Sequence, residues 1–496
     1  MRRRAALMTA AAVLSAAFVT GGSAAAGTAA PATTHAARSG TWGTAIEIPG
    51  TGPLNKAGKA GVTSISCPDS SDCSVGGTYA SAFGTNGPVT QVFVIDKTRG
   101  TWGRAQEVPG TSTLNAGGGA LLNSLSCATA GNCSAGGWYT DASGHRQAFL
   151  VDETGGTWGT AKEVPGTAAL NKGNPGATIN AVSCPTPGNC VAAGRYSDGF
   201  SHVQVFVVSE TNGTWGTAKE IPGTAARNAG GYAAVDSLSC PSAGNCSLGG
   251  FYASSSTDRI PTVQAFVVSK TNGTWGTAQR VPGTAALNSG GYAEVTSVSC
   301  SSAGNCSAGG LYTNSTPATE AFVVSETNGT WGTATAVPGI AAVNTGGLAQ
   351  ITSMWCGTPG NCSAGGFYLD SSYNNQPFVL SETNGTWGTA AAVPGIAALN
   401  QGSPGASIGA LSCAAVGDCS AGGFYSDRSS HRQAFVVNET GGTWGTAEEV
   451  PGTAALNAGG GASVGVISCA PRGLCRAGGG YTDVNNNKEV FVVNES

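Results

Sequence analysis

The chain has 496 residues, with 23 Lys and Arg against 27 Asp and Glu, a formal net charge of −4 and only 10% charged residues. So weak an acidic balance leaves no basic stripe for nucleic acid and no polybasic patch for an anionic membrane. Glycine is abundant at 78 residues but follows no three-residue period, which excludes collagen, and 41% hydrophobic residues suffice for a packed core.

At the N-terminus, Arg2, Arg3 and Arg4 precede an apolar, alanine-rich run from Ala5 to Thr20 and then small residues from Ser23 to Ala26. That order reads as a secretory signal peptide over residues 1–26. The run is too short and wrongly flanked for a spanning helix. Residues 27–38 are expected to form a loose leader and 39–496 the mature, extracellular domain, monomeric and without membrane insertion.

From there the chain repeats itself, and repeats decide the fold. A Trp recurs at Trp42, Trp102, Trp158, Trp215, Trp275, Trp331, Trp387 and Trp444, in steps of 56, 57 or 60 residues. Thirteen residues after each stands an Asn: Asn55, Asn115, Asn171, Asn228, Asn288, Asn344, Asn400 and Asn457. Then come two cysteines six positions apart, and a Tyr six further on, from Tyr79 to Tyr481. Each unit reads as four strands. Strand a is the short run before the first Cys ("VTSVSC"), and strand b runs from the second Cys to the Tyr. Strand c is "QAFVVSET" and strand d "TWGTAQRVPG". Alternating Val, Phe, Tyr, Trp and Thr between Gly, Asn, Pro and Ser are strand and turn signals. Asn-Gly between c and d, at Asn212, Asn272, Asn328 and Asn384, predicts a type I′ hairpin.

Four-stranded units of this length resemble β-propeller blades. The phase of the repeat agrees: "GTWGTAIEIPG" before the first cysteine pair supplies a lone d strand, while "EVFVVNES" at the end stops after strand c. A closed ring can use the first to complete the last. The expectation is an all-β fold, a single eight-bladed propeller whose segment 40–50 pairs beside residues 489–495, leaving no exposed sheet edge.

The cysteine pairs are Cys67 and Cys73, Cys127 and Cys133, Cys184 and Cys190, Cys240 and Cys246, Cys300 and Cys306, Cys356 and Cys362, Cys413 and Cys419, and Cys469 and Cys475. Zinc needs four ligands within a few ångströms, whereas each blade offers two sulfurs and no paired His. A redox site would favour C-x-x-C beside a helix. Sixteen cysteines at one spacing in a secreted chain read instead as eight structural disulfides, each bridging an a–b hairpin.

In a propeller the a–b and c–d hairpins share one face, and the b–c loops and d–a crossings share the other. The first face is nearly uniform; the b–c loops vary, and loops on a rigid scaffold are where binding resides. Two polar positions recur there. One is the Asn of the crossing; the other is a Gln or Glu two residues before the strand c Phe: Gln91, Gln147, Gln204, Gln264, Glu320, Gln376, Gln433 and Glu489. One reading is that both satisfy backbone groups at the turn between blades. The other makes Asn115, Asn171, Asn228, Asn288, Asn344, Asn400 and Asn457, with Gln147, Gln204, Gln264, Gln376 and Gln433, an amide-lined surface for a polyhydroxylated ligand. Asp141, Asp198, Asp370, Asp427 and Asp483, with Asn314, stand two residues after the Tyr and are read as starting the turn. No loop has EF-hand spacing, and neither a metal nor another cofactor is assigned. His145, His202 and His431 have no repeated partner. Trp138 and Trp355, outside the repeated Trp set, are assigned to packing.

The c–d turn, "SETNGTW" at 325–331, is similar to the Asp-box of bacterial neuraminidase-type propellers and falls at the same hairpin, though it lacks the Asp and is one residue shorter. The resemblance implies a secreted bacterial repeat propeller. No cluster of Arg with a Tyr and Glu matches a neuraminidase site, so that activity is not carried over, and a fold does not imply a function. Acidic residues confined to one blade are few. The leading expectation is therefore a non-enzymatic recognition scaffold binding carbohydrate or a cell-surface partner. A glycoside hydrolase or lyase working in the central funnel, or an envelope or protein-interaction module, are the alternatives.

Overall fold

The computed structural model describes residues 40–496 apart from 85–86, 201, 256–261, 317 and 472. The expected signal peptide and leader lie outside the described residues. Eight antiparallel four-stranded blades follow one another round a ring. Blade 5 is representative: strand a Ala293–Ser302, b Asn305–Thr313, c Thr319–Thr327 and d in two pieces, Thr330–Trp331 and Thr335–Ala336. The c–d turn takes the expected type I′ form, with Asn328 at φ 51° and Gly329 at φ 80°.

The ring closes as the phase of the repeat predicts. Ile46 and Glu47 pair with Val492 and Phe491, and Trp42 with Glu495, so the N-terminal strand becomes strand d of blade 8. All eight expected disulfides are present, and no cysteine is free. Each is buried in a core that joins two blades. Ala265, Val267 and Val281 of blade 4, for example, pack with Cys300, Cys306, Tyr312, Phe322 and Trp331 of blade 5.

Strand d differs from the continuous strand the sequence suggested. Trp102 pairs with Lys97, but Gln106 pairs with Val94, a register change of one residue. The interruption lets the Ala105 N–H leave its own sheet and donate to Pro49 O, which ends the d strand of blade 8, at 2.7 Å. The same Ala-to-Pro bond recurs at each junction, through Ala45 to Pro451, and forms an outer belt. A bulge here serves to tie neighbours together. A second addition is a single helical turn in each crossing, such as Thr111–Leu114, with the Thr111 hydroxyl donating to Val108 O at 2.7 Å.

Strands a form an inner belt. Ser66 Oγ accepts the Cys127 N–H at 3.0 Å, Ser126 that of Cys184 and Ser239 that of Cys300, and Ser468 returns the pattern to Cys67. In blade 6 the corresponding position is Trp355, which packs against the core of blade 7. Strands a and b approach too closely for side chains at one strand b glycine: a Cβ on Gly137 would lie 1.9 Å from Leu121 O.

Candidate functional site

The loop face is built from short, cross-braced turns. In blade 7, Asp427 Oδ1 accepts the N–H of Ser429 at 2.8 Å and of His431 at 3.0 Å. The same two bonds hold the loops that begin at Asp141, Asp198, Asp370 and Asp483, and Asn314 makes them in blade 5. These residues start the turns, as read from the sequence. Burial alone would raise the Asp427 carboxyl; the bonds from Gln433 and from the His431 and Ser429 amides outweigh it and hold it below the ordinary range.

The recurrent amides continue this brace into the next blade. Gln433 Nε2 donates to Asp427 Oδ2 at 3.0 Å, and Asn457 Nδ2 donates to Gln433 Oε1 and to Arg432 O, both at 2.9 Å. Asn457 Oδ1 accepts the N–H of Gly461 and Thr482 in blade 8. Asn171, Gln147 and Asp141 repeat the chain between blades 2 and 3, and Asn228, Gln204 and Asp198 between blades 3 and 4. Asn115, Asn288 and Asn344 donate to strand c carbonyls at Thr90, Val263 and Thr319, and Asn400 Oδ1 accepts from Ser426 N. Gln264 is buried, and Gln376 Nε2 reaches Asp370 at 2.8 Å. The Asn residues thus stand at blade junctions, and Gln147, Gln204 and Gln433 join them there, while Gln264 and Gln376 bond within their own blades, to Arg280 and Asp370; Gln147, Gln376 and Gln433 are half-buried.

Side chains beyond this brace reach outward. Phe83, in the extended strand b of blade 1 where it pairs with Pro88, and Phe200 and Tyr373, on b–c loops, are 73%, 83% and 73% exposed. His202 and His431 each turn toward the Asp of their own loop, at 3.5 and 4.0 Å. The shared "HRQ" of blades 2 and 7 has a different use: Arg146 lies over Trp138 at 4.1 Å and Arg432 over Phe424 at 4.3 Å, cation–π contacts on strand b. That gives Trp138 a role beyond core packing.

The ring is least symmetric where strands a begin, between blades 3 and 5. Arg195 Nη1 donates to Tyr232 Oη at 3.0 Å; Tyr232 lies 5.6 Å from Phe251, and Phe251 6.4 Å from Tyr292, measured between ring centres. Tyr292 Oη donates to Glu294 Oε2 at 2.5 Å, and the Glu294 carboxyl acts on that of Asp236 in blade 4. Burial raises both carboxyls and their mutual contact raises Asp236 further, against the pull of Arg195. Both effects favour the protonated form of the pair. Neither acid was singled out from the sequence. The signal was there: aligned on the first Cys, Asp236 is the only acid four residues before it and Glu294 the only acid six residues before it.

No protein-family model matches the sequence, and no curated protein does. Solved structures with a similar fold include the following three. The β-propeller domain of the Trilobed protease from Pyrococcus furiosus is 7% identical at a TM-score of 0.41, over 79% of this chain and 98% of that one. The Hadza microbial sialidase Hz136 is 10% identical at 0.37, over 82% and 68%. A protein of unknown function from Dyadobacter fermentans is 10% identical at 0.35, over 69% and 98%. Likenesses this distant say nothing about activity.

Proposed function

We propose that the protein is a secreted, non-enzymatic recognition scaffold that binds carbohydrate, free or on a cell surface, through the face bearing the b–c loops and d–a crossings. One observation carries the reading. Of the eight large hydrophobic side chains that stand exposed among the described residues, six are on this face: Phe83, Phe200, Tyr232, Val343, Tyr373 and Val484. Exposed apolar groups rimmed by polar ones mark interaction surfaces, and flat rings over amide and carboxyl groups suit the apolar face and hydroxyl edge of a sugar. The Asn–Gln–Asp braces hold the loops in one arrangement, which lowers the ordering cost of binding. In this reading the ligand meets the loop-tip rings together with Gln147, Gln376 and Gln433, while the buried amides support them.

Hydrolysis is disfavoured by the acid pair nearest this face. Glycosidases hold their two carboxyls roughly 5–9.5 Å apart on either side of the scissile bond. Asp236 and Glu294 instead act directly on each other, and Glu294 is buried. The test is retention of the mature protein on glycan arrays and insoluble polysaccharides, with Phe200→Ala and Tyr373→Ala beside it. Retention with more than one site, weakened at least tenfold in the double variant, is the expected result. A blank across both panels sinks the carbohydrate reading, and release of reducing sugar sinks the non-enzymatic one.

A further inference from the structure

The opposite face, which carries the disulfides, holds a second set of blade junctions with a telling exception. Between blades 5 and 6, Glu382 of the later blade accepts from two serines of the earlier one: Ser325 Oγ at 2.6 Å and Ser307 Oγ at 3.0 Å. Glu326 receives Ser269 and Ser247 in the same way between blades 4 and 5. A buried carboxylate met by two donors is satisfied.

Between blades 1 and 2, the place of Ser325 is taken by Asp96, which faces Glu153; between blades 2 and 3 it is taken by Asp152, which faces Glu210. An ionised Asp cannot donate. Glu153 and Glu210 are only 4% and 6% exposed, and Glu153 Oε2, Glu210 Oε2 and Asp96 Oδ1 find no hydrogen-bond partner. The donors that are present are neutral: Trp158 Nε1 reaches Asp96 at 2.9 Å, and Trp215 Nε1 and Ser134 Oγ reach Asp152 at 3.0 and 2.7 Å. Burial, then the facing Asp, push the Glu153 carboxyl up to about 8 and Glu210 up to about 7. Both Asp152 oxygens are bonded, but a free oxygen is left on Asp96 and on each Glu. Two opposed buried acids are costly until a proton or a cation lies between them.

One sister junction shows the room that this position of the repeat can hold. Between blades 5 and 6 a cleft of about 60 Å³ is lined by Ser307, Ser325 and Glu382 and lies beside Gly360 and Gly385 of the hairpin turns. That volume is enough for an ion with a few waters.

We propose that these two junctions are cation sites, each taking a calcium ion: Asp96 and Glu153 ligate one, Asp152 and Glu210 the other. The donors are all hard oxygens, and calcium tolerates the irregular, partly hydrated shell that two carboxylates leave. With so few protein ligands, the affinity falls in the range of extracellular modules, about 10⁻⁴–10⁻³ M. Each ion would cross-link two blades, and binding to the folded ring alone would raise its stability.

The experiment uses the mature protein stripped with chelator. Calcium uptake is measured by titration calorimetry, and terbium luminescence is excited through Trp158 and Trp215, whose indoles touch the two Asp. Two ions per chain are expected. Asp96→Ser and Asp152→Ser, which install the residue that the sister junctions carry, should each remove one ion, and the double variant both. Glu153→Gln and Glu210→Gln, nearly isosteric, serve if the serine variants fail to fold. No uptake at about 10 mM calcium overturns the proposal, leaving each pair held by a shared proton. Unchanged uptake in the double variant overturns it equally.

Discussion

Asn457 is the hub of a brace between blades 7 and 8, and removing its side chain tests whether such braces hold the ring together. In Asn457→Ala the Gln433 amide oxygen and the amides of Gly461 and Thr482 lose their partner, while the Arg432 carbonyl keeps only the Ala462 N–H. Arg432, Gln433 and Gly461 are near enough to solvent for water to replace much of what is lost; Thr482 is 3% exposed, so its N–H is not rescued. Taking a few tenths of a kcal/mol for each solvated bond and about 2 kcal/mol for the stranded donor gives a cost of about 3 kcal/mol. If the ring melts as one unit of roughly 450 residues, its unfolding entropy is about 1 kcal/mol/K and the midpoint falls by only about 3 °C. If blades open separately, the entropy of the melting unit is roughly eightfold smaller and the shift correspondingly larger. Urea denaturation gives the free energy, calorimetry the shift, and hydrogen exchange the local effect. The Ser429 and His431 amides should exchange faster, because Gln433 no longer steadies Asp427. A loss below about 0.5 kcal/mol with unchanged exchange at those amides would refute the idea that the recurrent Asn supports the loops.

Two further outcomes follow from the junctions. Ser239→Ala takes the acceptor from the Cys300 N–H in the inner belt, a buried bond of 3.0 Å, and should cost about 1–3 kcal/mol in urea denaturation; a neutral effect would mean the belt is incidental. The raised carboxyls set the direction of a pH effect in chelator. Glu153 at about 8 and Glu210 at about 7 bind protons in the folded ring that the unfolded chain, at the ordinary value of 4.5, releases. Between about pH 4.5 and 8 the folded state therefore holds more protons, and stability falls as pH rises through that window. Urea midpoints at pH 5 and 8.5 should show the fall, and Asp96→Ser should lessen it; a rise in stability over the same window, in the absence of metal, would contradict the burial of these acids.

How much of this is legible in the sequence depends on what repeats. Strand order, disulfides and closure follow from spacing because each unit buries its hydrophobic face only against its neighbours, so one local pattern, copied eight times, dictates the ring. The phase of the repeat, a lone "GTWGTAIEIPG" at one end and a missing d strand at the other, carried the closure that Ile46 and Val492 realise. What spacing could not carry is direction. Whether Ala105 bonds within its own sheet or reaches across to Pro49 depends on a one-residue bulge that leaves no mark on alternation. The Ser before the first Cys, present in every blade but the sixth, carries no periodic signal of its own, and only the geometry shows its hydroxyl accepting from the next blade.

The sites were hidden for the opposite reason: they are exceptions to the repeat. A position that serves one purpose eight times over is structural by that fact, as the recurrent Asn and Tyr are. A position where one or two blades depart from a satisfied pattern is where energy has been left uncollected. Asp236 and Glu294 break the small or neutral columns of strand a, and Asp96 and Asp152 replace the donors that Ser269 and Ser325 supply elsewhere. In each case an acid stands where the sister blades show what a neutral, fully bonded arrangement looks like, so the fold itself provides the control. Such departures are destabilising in the bare chain. A proton taken up by the raised carboxyls offsets part of that cost, and the proposed ion at the disulfide face would offset it further.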